Sequence, residues 1–208
     1  MAEYQPRWPS LVAMFAIAGL RFAMPSALTL GPDWVLVPLV VSLGTVSILS
    51  HRLERHGLNR RIGFVLSGIV TCDMIASLSL LIWRLPAHHE TPKELLVAAT
   101  GIWVSNILVF ASWYWRLDAG GPHARDLRDQ HEFGAFLFPQ MTLDDPAQRA
   151  GWKPGFVDYL FLAFNTSTAF SPTDVPVLSR WAKMLMMVQS AISLGAVVVL
   201  GARAVNIL

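Results

Sequence analysis

In an otherwise apolar run, Asn165-Thr166-Ser167-Thr168 sets four small polar side chains side by side, and Asp174 follows shortly after. Hydroxyls, backbone carbonyls and a carboxylate are oxygen ligands for cations, and rings of carbonyls or carboxylates give membrane pores their selectivity. Thr166, Ser167, Thr168 and Asp174 are therefore candidates to line a constriction. Gln189 and Ser193 are four apart, so on a helix they share one face and are candidate pore-lining residues. Arg21, Asp73 and Asn106 fall inside apolar stretches, where an ionisable group is costly and needs a partner. Arg21 and Asn106 are the candidate partners of Asp73.

Each group also has a plainer use. Asp174 can cap the helix after it or contact Arg180. Gln189 and Ser193, with Ser190 and Gly195 near them, can pack helices together through small residues. Met184, Met186 and Met187 offer a hydrophobic gate or ordinary lipid contacts. Asp73 reads as an ion relay or as a polar clamp between helices; the clamp is favoured, because no second acid lies in a neighbouring stretch. His88-His89-Glu90 is poorly spaced for a metal, and His51 and His56 are no better. The single cysteine, Cys72, reads as a small buried apolar residue. There is no phosphate-binding glycine loop, zinc helix or nucleophile elbow. No enzyme, metal or cofactor is expected.

The elements that must position these groups emerge from composition. Of 208 residues, 54% are hydrophobic and only 14% charged, with a net charge of +2. A soluble domain carries about 25% charged residues, so a soluble globule and a nucleic-acid-binding module are both excluded. Trp8–Gly31, Trp34–Ser50, Ile62–Trp83, Leu95–Trp115 and Met184–Ala202 contain only Arg21 and Asp73 as charged residues. A bilayer core needs about 20 apolar residues as helix, which predicts about five spans. The first stretch is interrupted by Arg21 and Pro25, and reads as a broken span or an interfacial helix plus a short one. Trp8, Trp34, Trp83, Trp113 and Trp115 mark the interfaces. The lipid bilayer is the first expected partner and the inner membrane the expected location; nothing points to nucleic acid.

Basic residues set the topology. Arg52, Arg55, Arg60, Arg61, Arg116, Arg125, Arg128, Arg149 and Lys153 share one side; Arg84, Lys93 and Arg203 fall on the other. The positive-inside rule makes the first side cytoplasmic. On that side Arg116–Gly155 is the one long loop. Its apolar middle, Phe133–Met141, is expected on the membrane surface or under the bundle.

Phe156–Phe170 is apolar but too short to cross. It starts after Pro154-Gly155 and ends in the polar run. Ser171-Pro172-Thr173-Asp174-Val175-Pro176 cannot be regular helix, and a long uncharged helix comes next. Non-helical backbone at membrane depth is tolerated only inside protein or beside water, so the order reads as a re-entrant half-helix, a loop and a full span.

At these residues Phe156–Leu208 resembles the pore domain of the potassium-channel superfamily: pore helix, filter loop, inner helix. Ser167-Thr168-Ala169-Phe170-Ser171 lies on the filter, with Phe170 at its tyrosine position, and Asp174 and Pro176 fall near the family's Asp and Pro after a Pro172-Thr173 insertion. Ala169 and Ser171 replace both filter glycines, so potassium selectivity is not expected. The whole chain also resembles an uncharacterised family of small bacterial multi-pass proteins, through WYWRLDAGGP (Trp113–Pro122), FLFPQM (Phe136–Met141), AFSPTDV (Ala169–Val175) and RWAKMLMMVQS (Arg180–Ser190).

The resemblance implies an all-α membrane protein with a homotetrameric, channel-like core. Residues 1–117 would form a peripheral four-span unit, 118–155 a loop with an interfacial segment, and 156–208 the pore domain. It implies one of two functions. One is a weakly selective or closed ion pore; the other is a non-conducting scaffold, receptor or entry site for another molecule. Potassium channels insert their pore loop from outside, whereas the charge rule here puts its entry on the cytoplasmic side, an inverted arrangement.

Overall fold

The computed structural model describes residues 8–29, 31, 33–52, 56–84, 91–128, 134–145, 152–168 and 175–205. Among them the chain forms helices α1 (Trp8–Ala23), α2 (Asp33–Arg52), α3 (His56–Arg84), α4 (Pro92–Leu117), α5 (Pro122–Asp126), α6 (Phe156–Thr168) and α7 (Arg180–Val205). Among the described residues, three helices are long and apolar enough to cross a membrane: Gly57–Arg84, Pro92–Gly120 and Arg180–Ala202. The other two expected stretches give shorter apolar helices among those residues, Trp8–Ala23 and Val37–Ser47 within α2. The break expected in the first stretch falls where proline dictates. Pro25 disfavours helix at the residue before it, α1 stops at Ala23, and a 3-10 turn, Ser26–Leu28, comes next.

Helix α4 is the hub and packs against α1, α3, α6 and α7, while α2 packs on α1 and α3. Its sequence explains this. Ala98, Ala99, Gly101, Ser105, Ala111 and Ser112 are all buried, and small residues let neighbouring backbones approach closely. The helix starts at a capping box: Thr91 Oγ1 accepts from Glu94 N–H, and Glu94 Oε2 accepts from Thr91 N–H at 2.8 Å.

Its other end closes through glycine and arginine. Ala119, Gly120 and Gly121 are left-handed, at φ of 49°, 85° and 92°. A Cβ on Gly121 would meet the Arg116 carbonyl oxygen at 2.8 Å, so only glycine fits this turn. Arg125, on α5, then reaches back and donates from Nη1 to the Trp115 carbonyl at 2.9 Å and the Asp118 carbonyl at 2.8 Å. These are carbonyls that a helix end leaves without partners.

The strap Gly134–Phe138 is anchored under this end. The fully buried Asp118 accepts from Ala135 N–H at 2.5 Å and from Tyr159 Oη–H at 2.6 Å. Phe136 packs on Tyr114, Tyr159 and Trp181, and Phe138 on Tyr159 and Trp152. Of the two places expected for this apolar segment, the strap takes the one under the bundle.

Candidate functional site

Helix α6 begins after Gly155, whose N–H is accepted by Asp158 Oδ2 at 2.7 Å. Its first turns lie against the C-terminal end of α4: Phe156 packs on Trp115, and Tyr159 donates to Asp118. Its last turn lies near the middle of α4, beside Trp103 and Asn106. At 1.5 Å per residue, the stretch of α4 from Asp118 back to Asn106 is about 18 Å long. The next described residues, Val175–Leu178, are back where α6 began. Leu137 N–H donates to the Pro176 carbonyl at 2.9 Å, Leu178 N–H donates to the Ala135 carbonyl at 2.8 Å, and Phe136 touches both Tyr159 and Trp181.

The polar end of α6 sits in a buried hydrogen-bond network. Gln189 Nε2 donates to the Ala163 carbonyl at 2.7 Å and to Ser167 Oγ at 2.8 Å, while its Oε1 accepts from Tyr114 Oη–H at 2.5 Å. Ser193 Oγ donates to the Ser167 carbonyl at 2.6 Å. Asn106 Nδ2 donates to the Gln189 carbonyl at 3.1 Å and reaches Ser167 Oγ at 3.5 Å. Trp103 Nε1 approaches the Ser167 carbonyl at 3.5 Å. Thr166 and Thr168 hydroxyls bond back to the carbonyls of Leu162 and Phe164. One glutamine thus ties α4, α6 and α7 together, with both its amide hydrogens and its oxygen in use. Polar groups cut off from water must be satisfied this way.

The sequence candidates divide accordingly. Thr166 and Ser167 are buried and Thr168 half-buried at the end of α6. Ala169, Phe170, Ser171 and Asp174 lie outside the described residues, as does His88-His89-Glu90. The N-cap of α7 is Ser179, whose Oγ accepts from Ala182 N–H at 3.3 Å. Gln189 and Ser193 do share a face, but it turns into the chain's own core. Both are 0% exposed, so neither lies on an open surface of the chain. The exposed residues of α7 from Met184 to Ala202 are instead all apolar or small, Met184, Met187, Leu194 and Val198 among them.

Asp73 takes Arg21 as its partner, an ion pair between α3 and α1 with Arg21 only 3% exposed. Asn106, the other expected partner, belongs to the network around Gln189. Beside the pair lies a cavity of about 20 Å³ lined by Met24, Ser77 and Ser105, room for about one water molecule. Cys72 is a correction: it is exposed on α3, because that helix is apolar all round and its sequence does not mark which face is inside. Among the described residues, no three His, Cys, Asp or Glu side chains cluster as a metal site.

Asp118, Arg125, Tyr114 and Tyr159 were not among the sequence candidates, although all four are buried and bonded. The available signal was Asp118 directly after an apolar helix and before Gly120-Gly121, a place where a carboxylate can turn inward.

No family model, curated protein or solved structure matches the chain.

Proposed function

We propose that the chain is one subunit of a fourfold, channel-like assembly in the inner membrane, with the segment 169–174 as the constriction around the axis and the buried Thr166 and Ser167 holding the helix end behind it. One subunit supplies one half-helix and one inner helix, which cannot enclose a path alone. The observation that carries this reading is the end of α6. A 13-residue helix stops beside the middle of α4, its polar last turn is fastened to α4 and α7, and the chain has returned by Val177 to the end where it started. Irregular backbone after a helix that ends at membrane depth is tolerated only inside protein or beside water, and the network holds the point from which it would start. The C-terminal end of a helix carries partial negative charge, and four Asp174 carboxylates would add to it, so the permeant species is a cation. Ala169 and Ser171 stand where potassium filters carry glycine, and the path is not potassium-selective.

The apolar outer face of α7 supports a pore that is closed at rest. Rings of Met184, Met187 and Leu194 would exclude water and block ions by dewetting. The same face favours the second reading, a scaffold or receptor that keeps a channel-like build without conducting. Planar-bilayer recording of purified protein separates the two. Cation currents that fall in Asp174→Asn are the expected result, and silence under every ionic condition and voltage rejects conduction.

Helix α6 starts at the arginine-rich end of the bundle, so its entry is cytoplasmic by the charge rule. Helix α7 then runs away from the cytoplasm. A reporter fused after Leu208 is expected to be active only if it works outside the cytoplasm; cytoplasmic reporter activity contradicts the inverted arrangement.

A further inference from the structure

We infer that the arginine-rich end of the α3–α4 interface binds the headgroup of an anionic phospholipid. The first turns of α3 and the last turns of α4 meet there. The Phe64 ring stacks on Trp113, with centroids 5.9 Å apart and planes at 22°. Trp113 Nε1 donates to Thr71 Oγ1 at 2.9 Å, which fixes the indole. The Arg60 guanidinium lies 5.6 Å from the centre of the Phe64 ring, and the Arg116 guanidinium 5.7 Å from that of Trp115. Arg116 rests directly on the α3 backbone. A Cβ on Gly63 would overlap its Nη1, so only glycine leaves room for it. The result is a guanidinium group over an aromatic ring on each of the two helices, Arg60 over Phe64 and Arg116 over Trp115, with the exposed Arg61 next to Arg60 in the chain. Planar guanidinium groups are the preferred donors to phosphate.

The sequence leading into this site is basic. The connector His51–Arg61 holds four arginines against one glutamate, and the first turn of α3 holds no acidic residue. The partial positive charge of the α3 N-terminus adds to theirs.

What selects a phospholipid over a soluble anion is the surface next to the arginines. Val65, Cys72 and Ile75 continue from Arg61 at helical spacing, and all are exposed. Helix α3 is one of the three long enough to span, and Arg60 and Arg61 stand just before its apolar run. A headgroup phosphate on the arginines would lead its acyl chains straight onto that stripe. A free phosphate gains nothing from it, and a zwitterionic lipid brings no net charge.

The test is native mass spectrometry of the purified full chain, loaded with phosphatidylglycerol or with phosphatidylcholine of the same acyl chains. Thermal unfolding is measured in parallel, with inorganic phosphate as a third arm. Phosphatidylglycerol is expected to be retained roughly tenfold better than phosphatidylcholine and to raise Tm, with no effect of phosphate alone. The double variant Arg60→Gln/Arg61→Gln, which leaves only Arg116, is expected to lose most of that preference. Should that variant not fold, a salt series on the wild type decides the matter, because this binding weakens as salt rises. Equal retention of the two lipids by wild type, stabilisation by phosphate alone, or binding indifferent to salt overturns the proposal.

Discussion

Asp73→Leu is expected to lower the stability of the protein by about 3–5 kcal/mol, the usual cost of removing one partner from a buried ion pair. The change adds apolar volume where lipid and protein both tolerate it, so the loss comes from the group left behind. Arg21 is buried against α3 and would keep its charge after losing the Asp73 carboxylate. The pair joins α1 to α3, and α1 also packs on α2 and α4. The signature is non-additivity. Arg21→Met alone should also be damaging, whereas Arg21→Met/Asp73→Leu should recover most of the loss. Unfolding of the four proteins in one detergent, monitored by tryptophan fluorescence, measures this. Additive losses, or unchanged yield and oligomer size in Asp73→Leu, would show that the pair is not a clamp. Any effect on conduction should come second to this loss of assembly.

The second large effect is expected at Gln189. Its side chain makes three hydrogen bonds, to Tyr114, Ala163 and Ser167, on two other helices. Bonds between membrane helices contribute roughly 0.6 kcal/mol on average and up to about 1.7. Leaving the Tyr114 hydroxyl buried without an acceptor adds about 1–3 kcal/mol. Gln189→Leu should therefore cost about 3 kcal/mol, and Tyr114→Phe clearly less, since it removes the stranded hydroxyl together with its bond. If the network holds the end of α6 so as to position the loop after it, Gln189→Leu should also increase the hydrogen exchange of Ala163–Thr168. Wild-type exchange in that stretch, beside a measured loss of stability, would mean that Gln189 only packs helices.

Much of the arrangement was legible in the residues themselves. Charge-free length marks α3, α4 and α7, Pro25 marks the end of α1, and Pro154-Gly155 marks the start of α6. The spacing of Gln189 and Ser193 gives their common face but not its direction. A polar pair in an apolar helix is compatible with an aqueous path and with a partner helix alike, and only the neighbouring Ser167 and Tyr114 decide between them. Cys72 has the same difficulty in reverse, on a helix with no polar side to orient it. The network around Asp118 was hidden for another reason. Its partners, Ala135 and Tyr159, come from separate later segments, and nothing local to any of the three announces the meeting. The strap shows how such groups matter. Its backbone pairing with Pro176–Leu178 links the long loop to the base of α7.

In the proposed fourfold assembly the last quarter of the chain, Phe156–Leu208, forms the middle. Electron-microscopic imaging of the purified protein in lipid nanodiscs tests it most directly. The expected particles have fourfold symmetry, with α6 and α7 nearest the axis and the segment 169–174 facing it. Monomeric particles, or an assembly with α1 and α2 at its centre, would contradict it.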